Sequence, residues 1–141
     1  MKIRHVPAAV RALLGATALV LAACDGSITT EPDDFPGFNS VAVASVSVPS
    51  GSTIDVGTRV AVLVRYSARQ RSDIQVRLIS GFNELAASPP VEVRSGRDEV
   101  TLVVTASRAG EVDLIEVVMG DPGFDSRIFD VQRVRWPLTV R

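Results

Sequence analysis

The chain is poor in reactive side chains. Its 141 residues include one cysteine, one histidine, one tryptophan and one tyrosine, and aromatic residues make up only 5%. The single lysine is Lys2 and the single histidine is His5, both at the extreme N-terminus. One cysteine closes no intramolecular disulfide and builds no thiolate metal cluster. Beyond residue 5 there is no imidazole or side-chain amine, so in that part of the chain serine nucleophiles lack their usual base, Schiff-base and Cys–His chemistry lack a partner, and no histidine zinc site forms. Carboxylate chemistry is what remains. The chain also lacks a charge excess, with 15 basic against 16 acidic side chains. It has no glycine-rich phosphate loop running from a strand into a helix. Apolar residues reach 46%, enough for one domain with a core and too many for a disordered chain.

The charge is unevenly placed. Lys2, Arg4 and Arg11 precede the uncharged run Ala12–Ala23, the order of a secretory signal peptide. A permanent span needs about 20 apolar residues, and this run is shorter. It ends Leu21-Ala22-Ala23-Cys24. Small residues before the cut suit a narrow peptidase site, and the following thiol is a nucleophile able to carry a lipid. The segment resembles a bacterial lipoprotein lipobox, and the only cysteine stands where lipidation would use it. The resemblance implies a signal peptide over 1–23, a covalent lipid on Cys24 and membrane attachment through that lipid. Asp25 resembles the inner-membrane retention signal of some enteric bacteria. Without the leader, 12 basic residues face 16 acidic ones, about −4, which disfavours nucleic acid as a partner.

Residues 24–39 read as the lipidated cysteine and a flexible tether, rich in Gly, Pro, Ser, Thr and carboxylates. A coil of about 15 residues spans roughly 20–25 Å r.m.s.. Phe35 and Phe38 are expected to pack on the domain or to meet a partner.

From residue 40 to 141 short alternating runs predict an all-β domain. The valines of 41–48 change phase near Ala44-Ser45, as a bulge or a sheet-switching strand requires. Arg59–Tyr66, Ile74–Leu78, Val91–Val93 and Val100–Thr105 alternate. Val112–Met119 is apolar enough for burial on both faces, and Pro137 should place part of Ile128–Val140 at an edge or bulge. About seven strands with frequent Gly/Pro turns predict an immunoglobulin-like β-sandwich. Val46-Ser47-Val48-Pro49-Ser50-Gly51-Ser52-Thr53-Ile54-Asp55-Val56-Gly57 and Val91–Gly96 leading into Val100–Val104 resemble bacterial immunoglobulin-like modules, loosely over 40–141.

Immunoglobulin-like order would bring Arg69, Arg71, Arg97 and Phe124 to the end where the chain enters. The arginines there are either solvated turn surface or contacts to anionic headgroups, at about 1 kcal/mol each. Phe82 and Leu85 fall at the opposite end, as a partner-facing patch or as caps on the core. Asp121 and Asp125 in Gly120–Asp125 serve a turn or hold a cation through carboxylates and carbonyls, off the EF-hand spacing.

The leading expectation is a non-enzymatic envelope lipoprotein presenting its domain for protein interaction, adhesion or a structural role. A lipoprotein binding sugar or calcium through loops 80–90 and 120–126 is the alternative. A carboxylate-dependent hydrolase ranks third, because no acidic pair is set apart from turn duty.

Overall fold

A computed structural model describes residues 38–141. The expected leader over 1–23, Cys24 and Phe35 therefore lie outside the described residues. Nine strands follow one another: β1 (Ser40–Val46), β2 (Thr53–Ile54), β3 (Arg59–Ala68), β4 (Ser72–Ser80), β5 (Asn83–Ala87), β6 (Val91–Val93), β7 (Gly96–Thr105), β8 (Gly110–Gly120) and β9 (Ile128–Val140). A 3-10 turn over Pro122–Phe124 is the one helical element among the described residues.

The strands form two sheets. The smaller runs β1-β3-β7 and the larger β2-β9-β8-β4-β5, with β6 also on β4. The alternation explains the sandwich directly. Val60, Val62, Val64 and Tyr66 on β3 face Ile74, Val76 and Leu78 on β4 and Ile115, Val117 and Met119 on β8 within one buried core. Valine and isoleucine suit this role because branching at Cβ fits a pleated, half-buried surface. With 24 buried apolar residues and no disulfide, packing carries the stability.

The phase change in the first run has two consequences in the structure. The β1–β3 register shifts between Val43 and Ser45, a bulge. The chain then crosses at 47–52 to the second sheet, where β2 pairs in parallel with Thr139 and Val140 of β9. Trp136 sits at this crossing, its indole N–H donating to the Val48 carbonyl at 2.9 Å. Pro137 lies in a bulge, since the β8–β9 register shifts between Val112 and Leu114 opposite Arg135 and Leu138.

Nine strands replace the expected seven or so because two were invisible as patterns. β2 is only two residues long, and β5 (Asn-Glu-Leu-Ala-Ala) has weak strand propensity and is held by its ladder to β4. The fourth run also sits differently from constant-type immunoglobulin order, where it would pair with the fifth. β6 instead pairs with Ser72–Ile74 of β4 and extends the edge begun by β5. Only Ser88-Pro89-Pro90 separates the two, so the chain continues along one edge before Arg94 and Ser95 carry it across to β7. Ser88 mends the interrupted ladder: its N–H donates to the Val76 carbonyl, and its Oγ accepts from the Val76 N–H at 3.0 Å.

Candidate functional site

The strand registers divide the sequence-predicted residues between two ends. Ser40 pairs Ser67, Ala68 pairs Gly96, Ser72 pairs Val93 and Gly120 pairs Ile128. The chain entry therefore shares an end with Arg69, Arg71, Arg97, Phe124, Asp121 and Asp125. Arg71 is paired with Glu92 at 2.8 Å, and the Arg69 N–H donates to Asn39 Oδ1. Arg69, Arg71, Arg94, Arg97 and Arg127 at this end are matched in number by Asp73, Glu92, Asp98, Asp121 and Asp125.

The 121–127 loop is internally braced. Asp121 accepts from Gln70 Nε2 on one carboxylate oxygen and from Ser126 Oγ on the other, while Asp73 accepts from the Gly123 N–H. Phe124 has φ 54°, and its ring stands where a Cβ on Gly120 would meet it at 2.8 Å. The Arg127 carbonyl oxygen would stand closer still, at 2.6 Å, and this backbone approach explains why residue 120 is glycine. Among the described residues no three His, Cys, Asp or Glu side chains converge as a metal-holding group.

At the opposite end Phe82 and Leu85 part company. Leu85 packs against the core, with Gly110 beneath its methyl groups, and its carbonyl accepts from Ser107 Oγ. Phe82 projects from the β4–β5 hairpin with 105% relative exposure. The two do not make a common patch. Gly81, at φ 55°, precedes Phe82 in a two-residue connection, the glycine-first pattern of a type II′ turn. Its N–H donates to Asp113 Oδ2 at 2.6 Å, which ties the aromatic tip to β8.

Asp113 also lines an open cleft of about 320 Å³ with Leu114, Arg133, Arg135 and Pro137. Arg133 and Arg135 alternate with the inward Val134, so both guanidinium groups stand on the outer face of β9. The cleft continues into an ordered row across the larger sheet: Glu84 pairs Arg77 at 3.4 Å, Arg77 pairs Glu116 at 3.6 Å, and Glu116 pairs Arg133 at 2.7 Å. Glu116 is only 8% exposed, lying beneath the two arginine stems. Arg135, by contrast, is exposed and has no ion pair among the described residues. Further along the same face Val131 and Ile128 are exposed, while Val118 between them and Gln75 is 3% exposed.

The aromatic tip, the cleft and the charged row thus form one surface on the lower half of the larger sheet, remote from the chain entry. Sequence reasoning found only Phe82 of this set. The Arg133-Val134-Arg135 alternation was a readable signal, but the approach of Leu114 and Asp113 depends on the β8–β9 bulge. Of the two segments 80–90 and 120–126, the Gly81-Phe82 turn and the Asp121–Arg127 loop lie at opposite ends. Compared with known protein families and with curated proteins, the chain matches none.

Proposed function

We propose that this chain is a non-enzymatic, lipid-anchored module of a bacterial envelope, whose immunoglobulin-like sandwich binds a protein partner through the lower outer face of its larger sheet. The observation that carries the reading is the juxtaposition of the fully exposed Phe82 with the cleft of Leu114, Pro137, Arg133 and Arg135. Exposed aromatics and arginines are the side chains that anchor protein interfaces. The lipobox resemblance supports anchorage, with the lipid on Cys24 as the only covalent addition. The entry end would then face the membrane, and the candidate surface would lie toward the far end of the sandwich, facing sideways.

The sugar- or calcium-binding reading and the hydrolase reading have less to stand on. The cleft contains one carboxylate, Asp113, which already accepts the Gly81 N–H, whereas glycoside hydrolysis uses two facing carboxyls. Both oxygens of Asp121 are likewise occupied.

A photo-reactive residue placed at position 82 and activated in intact cells tests the proposal. The expected result is a discrete covalent adduct from position 82 and none from position 101, an exposed site on the other sheet. Equal silence at both positions overturns it.

A further inference from the structure

We infer that the partner of this face is a second copy of the chain, joined about a two-fold axis that runs along the strands between β4 and β8. The inference rests on the proposed interaction surface and names its occupant. A two-fold interface brings one patch against itself, so the patch must be self-complementary. Three features of this face meet that requirement under the same axis.

The first is steric. Such an axis keeps height along the strands and exchanges the β4–β5 side with the β8–β9 side. Phe82 stands on the first side, at the level of Asp113 to which its turn is bonded. The cleft, bounded by Asp113, Leu114, Arg135 and Pro137, stands on the second side at that height. Phe82 of each copy is thereby brought to the cleft of the other. A volume of about 320 Å³ is ample for a phenyl ring, since cavities of about 150 Å³ hold benzene.

The second feature is chemical. Leu114 and Pro137 offer apolar contact for a ring, and Arg135, with no ion pair among the described residues, offers a guanidinium to its π-face. The third is electrostatic. The row reads Glu84, Arg77, Glu116, Arg133 across the sheet. Reversed by the axis, Arg77 falls opposite Glu116, twice over, and Glu84, level with Ile79, Leu114 and Arg135, falls opposite Arg135. No like charges meet, which is what a self-associating face needs.

Four strands about 4.8 Å apart and about 30 Å long present a face of roughly 600 Å². A standard interface takes about 800 Å² per partner, so this face is on the small side, in keeping with a weak, reversible dimer.

The test is sedimentation velocity of the full chain, solubilised in detergent, over a concentration series reaching about 100 μM. Wild type should show a reversible monomer–dimer equilibrium. Phe82→Ser removes both ring–cleft contacts at once and should weaken the dimer roughly 100-fold, about tenfold per contact. Arg135→Glu, on the receiving side, should weaken it in the same direction. Both side chains are exposed, so unchanged circular dichroism separates lost association from lost fold. A wild type that stays monomeric, or a dimer indifferent to both substitutions, overturns the inference. The adduct at position 82 distinguishes the two levels. An adduct of twice the chain's mass supports self-association, whereas a heterologous adduct with a monomeric wild type overturns it and leaves the interaction surface standing.

Discussion

Tyr66 shows how one side chain reports on the whole core. It is buried on β3, beside Asp98 across the β3–β7 ladder. Burial, and secondarily the Asp98 charge, push its phenol above the ordinary value of 10.0. A raised phenol favours the protonated form in the folded state. As pH passes about 10 the unfolded chain ionises first, the native state holds more protons, and stability falls. Below that range this side chain adds no pH dependence. The chain has one tyrosine, and its only lysine, Lys2, lies far from the domain in sequence, so the phenolate absorbance is readily assigned. Urea midpoints should be insensitive to this group up to about pH 9.5 and decline beyond it, with the phenolate band appearing above pH 10 in the folded protein. A midpoint that rises through phenol ionisation would contradict the burial of this ring.

At the scale of elements, the informative question is how exposed edges are protected. β1 is an edge of the smaller sheet, low in charge and rich in valine, the composition that invites pairing with another chain. Two of its outward N–H groups are already used. Val41 donates to Asp130 Oδ2 at 2.9 Å and Val43 donates to Gln132 Oε1, both from β9 on the other sheet. Two polar side chains therefore close one seam of the sandwich, aided by the bulge after Val43. Asp130→Ala combined with Gln132→Ala should cost about 1–2 kcal/mol per lost acceptor in urea denaturation and should raise light scattering on storage. Asp130→Asn keeps an acceptor and should remain near wild type. Stability and solubility of the double variant equal to wild type would mean the edge needs no such closure. This seam also marks what sequence could and could not convey. The β3 run and the phase change at Ala44-Ser45 were readable because a period of two and its interruption are local properties. Asp130 and Gln132 lie 89 residues from the groups they cap, a distance that no local pattern encodes. β5 was hidden for a related reason, its strand character coming from β4. The same holds for the candidate surface: Arg133 and Arg135 show their shared face in sequence, but the cleft they border exists only once two bulges have set the register.

For the whole molecule, the decisive relation is between the proposed anchor and the proposed interface. The entry end and the Phe82 end lie on opposite sides of a sandwich whose longest strands, at about 3.3 Å per residue, run some 35–40 Å. With the proposed tether, whose coil length would be roughly 20–25 Å, the self-complementary face would stand well clear of the bilayer, oriented sideways and free to meet another copy. Two or three acyl chains at about 0.8 kcal/mol per buried methylene hold such a protein stably, where one chain would be marginal. Confinement to a surface also raises the local concentration of a weakly associating domain, and avidity gained this way needs no new contact. Cys24→Ala should therefore do three separable things. It should move the protein from the membrane to the soluble fraction and remove the lipid mass. It should leave the thermal midpoint of the sandwich unchanged, since the described core lies between Val41 and Val140. It should also reduce dimer cross-linking from position 82 in cells severalfold while the dissociation constant of the purified protein stays the same. A variant still bound to membranes would remove the lipid anchor from this account. A variant released yet cross-linking as efficiently as wild type would show that the face associates without help from the surface.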